Sequence, residues 1–188
     1  AYGYEYFDGL ENCISMDISK FDVSKATDLS CMFEDCSSVT TLNVSGWDVS
    51  KAEKLSSMFF GCSSLESLDV SGWNVASGTD FHSMFYRCSS LGTLDVSGWD
   101  VASGTDFRSM FDGCSSLMSI DVFAWDISNA TDISSMFEDC KSLTSLVLPK
   151  CGAGKSSMVR DIFKGCAGLT SLGFSGWNVK DIDSALRS

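Results

Sequence analysis

Histidine is nearly absent from this chain, which has one, His82, among 188 residues. It stands where Ser56, Arg108 and Ser134 occur in similar segments, so we expect an exposed side chain without a partner. A lone exposed imidazole does not make an acid–base site, and no set of base, nucleophile and orienting residue is evident elsewhere. The sequence therefore predicts that the protein is not an enzyme and uses no cofactor.

Basic residues are also scarce. The chain has 13 Lys and Arg against 25 Asp and Glu, giving a net charge of −12 and a pI of about 4.3. This balance argues against nucleic acids and anionic membrane surfaces as partners, because both repel an acidic protein. No apolar run approaches the roughly 18 residues of a membrane span, so we expect no membrane insertion.

The N-terminal stretch AYGYEYFDGLENC lacks the apolar core of a signal peptide. It is expected to be an internal piece of a longer chain, whose export signal and anchor lie elsewhere. Phe7 and Leu10 echo apolar positions found further along. Residues 1–12 are therefore predicted to be a degenerate N-terminal cap or first half-unit.

A 26-residue repeat is the strongest signal in the sequence. SMFFGCSSLESLDVSGWNV begins at Ser57, SMFYRCSSLGTLDVSGWDV begins 26 residues later at Ser83, and SMFDGCSSLMSIDVFAWDI begins at Ser109 after the same interval. A fixed period of 20 to 50 residues is typical of solenoids, in which each unit buries its apolar face against its neighbours. Residues 13–188 are predicted to form a single solenoid of about six full repeats plus a partial C-terminal repeat.

Each unit changes its apolar period halfway. The first half has an L-x-x-L-x-L frame with β-branched substitutions, which suits a short strand. Leu55, Met58, Phe59 and Cys62 then follow at helical spacing, which predicts a short helix, with a single turn or 3₁₀ segment as the alternative. Its N-caps would come from Thr79, Asp80 and their equivalents. Parallel strands are predicted near residues 41–45, 67–71, 93–97, 119–123 and 145–148.

The whole unit, SSMFxGCSSLxSLDVSGWDVS, resembles the repeats of BspA-like leucine-rich-repeat surface proteins. The resemblance covers residues 13–188, although Trp stands where a leucine-rich repeat usually has Asn. It implies an extracellular protein that is secreted or attached to a cell surface, with a role in adhesion. It is specific for the type of repeat and does not indicate a particular ligand.

Geometry predicts the shape of such an array. Stacked strands lie about 4.8 Å apart, whereas packed helices need roughly 8 to 10 Å. The fold class expected is thus an α/β repeat solenoid, curved, with parallel strands on the concave face and short helices on the convex face. Each unit would rebuild one core layer, with the Trp indole N–H bonded to a turn carbonyl. The predicted core residues are Trp47, Trp73, Trp99, Trp125, Trp177, Phe59, Phe85, Phe111, Cys62, Cys88 and Cys114.

Neither a zinc site nor a disulfide ladder is expected from the nine cysteines. No C-x-x-C pair occurs, and the Cys31 to Cys36 spacing has no His nearby. Six cysteines keep the 26-residue step, and a helix spacing would hold neighbours beyond the Cα separation of about 7 Å that a disulfide tolerates. They are predicted to be small buried hydrophobic residues.

The predicted strand face carries acidic and hydroxyl side chains. Its central column runs Asp17, Asn43, Asp69, Asp95 and Asp121, and the column beside it includes Thr41, Ser67 and Thr93. Phe123 replaces a Ser of the other flanking column and would be an exposed aromatic anchor. These nine residues are the candidate ligand-binding site.

A second acidic column follows the Trp position. Its residues are Asp22, Asp48, Asn74, Asp100, Asp126 and Asn178. Asx side chains there are expected to bond the turn backbone rather than a metal ion. Calcium needs six to eight oxygens, more than one carboxylate per layer supplies.

Two functions fit these observations. One is a non-enzymatic adhesion or recognition module that binds a protein or glycan partner, basic ones included, through its concave face. The other is a structural spacer in a large surface protein, with cation binding along the Asp column as a further option. The open ends of the array would also permit end-to-end self-association.

Overall fold

Parallel pairing at a fixed offset organises the chain. The computed structural model describes residues 6–151 and 159–186. Its strands are β1 (Ser15–Asp17), β2 (Thr41–Asn43), β3 (Ser145–Leu148) and β4 (Ser171–Phe174), and its helix is α1 (Val179–Leu186). β1 pairs with β2, and β3 with β4, in both cases between residues 26 positions apart. The sequence period is therefore also the pairing register.

Single bridges continue this pairing between the regular strands. Thr41 pairs with Ser67, and Ser67 pairs with Thr93, again in parallel. The strands predicted near residues 67–71 and 93–97 are thus reduced to one paired residue each, and no strand or bridge forms over 119–123 among the described residues. A second parallel ladder joins the units elsewhere, through Asp28, Lys54, Asp80, Asp106 and Asp132.

The short helices predicted in each unit are wrong, and the described segments adopt the alternative of single turns, as in the hydrogen bond from the Met58 N–H to the Leu55 carbonyl. In the segment 29–36, the amide groups of alternate residues donate to carbonyls of the next unit instead of bonding four residues back along the chain. Leu29 donates to Lys54 at 2.9 Å, and Phe33 donates to Met58 at 2.9 Å. An α-helix would use these amides internally, so bonding between units excludes it. The described part of the chain has α1 as its helix, and the sequence analysis did not predict that helix.

Two residues in each turn segment adopt left-handed backbone conformations, which explains why no helix forms. Ser57 and Ser83 have φ angles of 54°, and Gly61 has one of 71°. Such residues cannot continue a right-handed helix. The helical predictions failed because the apolar spacing records which side chains face inward but does not show which carbonyl each amide reaches.

The core consists of columns of aromatic rings that run across the units. Phe33, Phe59 and Phe85 are fully buried, and their ring centroids lie 5.4 Å apart in nearly parallel planes. Trp47 and Trp73 lie 6.2 Å apart. These spacings fall within the range of favourable ring stacking and well below the distance between packed helices. The described residues therefore do not form the predicted convex helical layer, and the curvature that was predicted from that layer stays a prediction.

The structure places the remaining predicted core residues in the same columns. Trp125, Phe111, Cys62, Cys88 and Cys114 are at most 1% exposed, whereas Trp177 is half-buried. The expected indole hydrogen bonds are confirmed for the four tryptophans Trp47, Trp99, Trp125 and Trp177, whose Nε1 groups donate to backbone carbonyls at 2.8 to 3.0 Å. The indole N–H of Trp73 has no such partner among the described residues.

The repeated cysteines are free thiols that bond to the backbone. Each Sγ donates to the carbonyl of the residue 29 positions earlier, as Cys88 does to Phe59 at 3.1 Å. Burial raises the pKa of these thiols, that of Cys166 to about 11. The predicted reason for the lack of disulfides, a helical spacing, is wrong. The hydrogen bonds and raised pKa values of these thiols disfavour the thiolate, which is the form of cysteine that attacks a disulfide.

α1 ends the described chain with its own cap. Asn178 accepts the backbone N–H of Asp181 at 3.0 Å through its side-chain oxygen, and its amide nitrogen donates back to the Asp181 carboxylate. These bonds satisfy polar groups that the first turn of a helix leaves open. Asn178 therefore caps a helix, although the sequence analysis placed it with the turn-forming column.

The left-handed position at Gly61 generates a stability prediction. Gly61→Ala should lower the free energy of unfolding by about 1–2 kcal/mol, because an L side chain is strained at positive φ and its Cβ would collide with the Asp35 carboxylate. Gly72→Ala is the matched control, since a Cβ there meets nothing within 4 Å and φ is not left-handed. Urea unfolding followed by tryptophan fluorescence measures both changes. Equal midpoints for the two variants would contradict the assigned backbone conformation.

Candidate functional site

The strand face alternates buried and exposed residues as the two-residue period requires. Leu42, Leu68 and Leu94 point into the core, at 6 to 7% exposure. The neighbouring hydroxyl and acidic side chains, and one amide side chain, are exposed: Ser15, Asp17, Thr41, Asn43, Ser67, Asp69, Thr93, Asp95, Ser119 and Asp121. We call these ten residues the acidic strip.

Two shallow grooves bring the residues of the acidic strip together. The larger, of about 470 Å³, spans three units from Ser67 to Asp121. The smaller, of about 310 Å³, runs from Ser15 to Asp69. Eight of the nine predicted site residues line one or both grooves: Asp17, Thr41, Asn43, Ser67, Asp69, Thr93, Asp95 and Asp121.

Phe123, the ninth predicted residue, lies outside both grooves and is 59% exposed. It lies at the end of the acidic strip, where its backbone N–H donates to Asp121 Oδ1 at 3.1 Å. Val147 continues the column of Asp121 and is 44% exposed. The face thus changes from acidic to apolar beyond Asp121.

The carboxylates of the acidic strip also close turns, which the sequence analysis did not anticipate. Asp95 Oδ1 accepts the backbone N–H of Ser97 at 3.1 Å and its hydroxyl at 2.7 Å, and Asp69 bonds Ser71 in the same way. Asn43 bonds Ser45 likewise. A carboxylate has about four lone-pair sites, so one turn leaves acceptor capacity for a ligand.

These hydrogen bonds favour the ionised form of the strip. The Ser97 hydroxyl, and after it the Ser97 backbone N–H, hold the pKa of Asp95 below its ordinary value. The Ser19 hydroxyl and backbone N–H do the same for the pKa of Asp17. A hydrogen bond to a carboxylate stabilises its charge, so both groups are ionised at neutral pH.

The second acidic column forms the turns that the sequence predicted. The side-chain oxygens of Asp22, Asp48, Asn74, Asp100 and Asp126 each accept the backbone N–H two residues on, at 2.9 to 3.2 Å.

A third column, at the second ladder, repeats this turn, and the helix N-caps predicted there are wrong. Asp28, Asp80, Asp106 and Asp132 accept the N–H two residues on, at 2.8 to 3.1 Å. The threonines beside them donate their hydroxyls to the carbonyl of the preceding unit, as Thr105 does to Thr79 at 3.0 Å.

His82 is not the isolated side chain that the sequence analysis expected. Its Nδ1 lies 3.0 Å from Asp80 Oδ1, and this hydrogen bond raises the pKa of His82. Asp80, His82 and Asp106 offer ligand atoms that all lie within 4.8 Å of one another. The D-x-H pattern, with another Asp one repeat after the first, is the signal that would have identified this cluster.

Parallel pairing between residues 26 positions apart, with the acidic strip along one face, shows that the sequence repeat is also a repeat of the structure. The chain belongs to the family described as Mycoplasma protein of unknown function, DUF285, whose model matches residues 4–119 and 82–177. The two matches overlap, as repeated units would allow. No curated protein and no solved structure matches the chain. Across the described ranges, no helix is both long and apolar enough to cross a membrane.

The pKa of Asp95 gives a test of the strip's electrostatics. Ser97→Ala should raise that pKa toward its ordinary value, because the hydroxyl is the main group lowering it. Carboxyl ¹³C chemical shifts followed against pH measure the change, with Asp17 in the same sample as an internal control. A parallel shift of both residues would point to a global change in fold.

The same depression of the pKa has a consequence for stability. Because Asp95 ionises more readily in the folded chain, its charge contributes stability above the ordinary Asp pKa, and this contribution is lost as the pH falls through the folded value. Ser97→Ala should therefore make the free energy of unfolding fall less steeply as the pH is lowered through the range in which Asp95 titrates.

Proposed function

We propose that the protein is a non-enzymatic recognition module of solenoid type that binds a partner through the acidic strip. The observation that carries the proposal is the groove across three units, which is lined by hydroxyl groups and by Asp69, Asp95 and Asp121. The side chains are exposed and their carboxylates are anchored by turns. Such an arrangement presents fixed negative charge to a ligand.

The chemistry of the strip favours a protein partner with exposed Lys or Arg. Carboxylates accept charge-assisted hydrogen bonds from these side chains, and the net charge of −12 would attract a basic partner from a distance. The hydroxyl groups allow further polar contacts, including contacts with glycans. Phe123 would add an apolar anchor at the end of the strip.

The resemblance of the repeats to BspA-like surface proteins supports a location outside the cell. A secreted or surface-attached adhesion protein would display such a face to host or matrix proteins. DUF285 membership is compatible with this proposal and assigns no activity of its own.

A structural spacer is the second candidate function, and one observation favours it. Each Asp of the strip already has a role in closing a turn, as Asp69 does with Ser71. A column of acidic residues would then be present in a stalk that has no ligand. The two functions differ in whether the strip's negative charge matters for binding.

Asparagine substitutions separate charge from turn formation. Asp69→Asn, Asp95→Asn and Asp121→Asn together remove three charges but keep the Oδ1 acceptors, as Asn43 shows in the same column. The matched control is Asp48→Asn, Asp100→Asn and Asp126→Asn in the second column, where Asn74 shows that Asn fits. Both triple variants lose the same charge, so only the location differs.

Surface plasmon resonance against immobilised fibronectin, laminin and collagen measures the outcome, with binding to cultured cells as a second assay. We expect the strip variant to lose affinity by about tenfold or more and the control variant to bind like the parent. Phe123→Ser, which restores the residue found at Ser97, should weaken binding by about fivefold. Failure of the parent to bind any of these surfaces, or equal binding by both triple variants, would favour the spacer.

A further inference from the structure

The second ladder places three metal-binding side chains together. Asp80 and Asp106 are bridge partners in adjacent units. The turn that Asp80 closes onto the backbone N–H of His82 brings the imidazole Nδ1 to 3.0 Å from Asp80 Oδ1. Their ligand atoms all lie within 4.8 Å of one another, and the Asp80 and Asp106 side chains are 30% and 21% exposed. A small ion could reach all three from solvent.

The donor types in the cluster suit a transition metal, and its ligand atoms lie close enough together for one ion to reach them. Zinc binds imidazole nitrogen at about 2.0 Å and carboxylate oxygen at about 2.0–2.2 Å, so that ligand atoms of one tetrahedral ion lie roughly 3.3 Å apart. His82 Nδ1 and Asp80 Oδ1 are already 3.0 Å apart. Calcium and magnesium prefer all-oxygen sites, whereas an imidazole favours zinc, nickel or copper.

We propose that Asp80, His82 and Asp106 form a binding site for a divalent transition-metal ion of the zinc class. The three side chains supply one nitrogen and two carboxylate groups, and the remaining coordination position is open to water. The site lies on the second ladder and is separate from the acidic strip. It departs from the sequence-based expectation that the protein holds no metal.

An ion-pair network is the competing explanation for the same residues. Two carboxylates side by side repel each other, and nearby cations reduce that cost. Arg108 Nη2 lies 2.8 Å from Asp106 Oδ2, and protonated His82 would pair with Asp80. On the adjoining side, Lys54 pairs with Asp28 at 3.6 Å. In this explanation the cluster is already neutralised by protein groups.

Arg108 distinguishes the two explanations. Its side chain is 52% exposed, so the guanidinium can move away from Asp106 when a metal ion binds. In a metal site the guanidinium competes with the ion for the carboxylate, and Arg108→Ser should tighten metal binding. In a pure ion-pair network the same substitution would leave an unbalanced carboxylate and no defined metal affinity. Ser occupies this position in a neighbouring unit as Ser134.

Titration of the full chain with Zn²⁺ by isothermal calorimetry tests the proposal, with Mg²⁺ and Ca²⁺ as comparison ions. We expect one Zn²⁺ site, weakened about tenfold or more by His82→Ser or Asp106→Asn and tightened several-fold by Arg108→Ser. Asp106→Asn keeps the oxygen that accepts the Arg108 backbone N–H, and Ser occurs at the His82 position as Ser56. Circular dichroism would check that each variant is folded.

Co²⁺ absorption spectra control for the cysteines, which can also bind zinc. The proposed site predicts ligand-field bands without a thiolate charge-transfer band, and loss of those bands in His82→Ser. Three results would overturn the proposal: no saturable Zn²⁺ binding by the parent, undiminished binding by His82→Ser, or a spectrum dominated by thiolate ligation.

Discussion

Backbone hydrogen bonds between units, at a nearly constant offset along the chain, are the interaction on which the other features depend. In the turn segments, alternate amides donate to carbonyls of the next unit, as Phe59 does to Met84 at 2.9 Å. Satisfying these buried amides requires successive units to lie at the spacing of adjacent strands. The same spacing brings Phe59 and Phe85 to 5.4 Å. Aromatic stacking is thus a consequence of the backbone pairing and adds to it.

At the turns, side chains of Asp and Asn accept hydrogen bonds from backbone amides. In the three Asx columns an oxygen accepts the amide two residues on, as in Asp95, Asp100 and Asp106 of one unit. The turn fixes each side chain and leaves its other lone pairs for further contacts. Structural and ligand-binding roles are therefore compatible within one carboxylate. A column of carboxylates is therefore expected in a recognition module and in a structural spacer alike.

Much of the molecule could be predicted from the sequence because repetition records which residues face inward. The burial of Phe85, Cys88 and Trp99 and the exposure of Asp95 follow from their places in the repeat. The turn segments were predicted as helices because the apolar spacing is the same for one face of a helix and for a run of turns with inward side chains. Ser83 adopts the left-handed conformation, and a serine, unlike a glycine, does not indicate a positive φ in the sequence.

His82 was misjudged for a related physical reason. Its neighbours in space include Asp106, which is 24 residues away in sequence and joins the cluster only through the pairing of the second ladder. In a repeat protein, a residue that departs from its column alters the surface at one place while the shared backbone keeps its geometry. His82 departs from serine and Phe123 does the same. The backbones of His82 and Phe123 are held by the same turns as those of Ser134 and Ser97, so both residues add local chemistry without loss of that backbone hydrogen bond. Departures of this kind are where a repetitive fold can acquire a specific function.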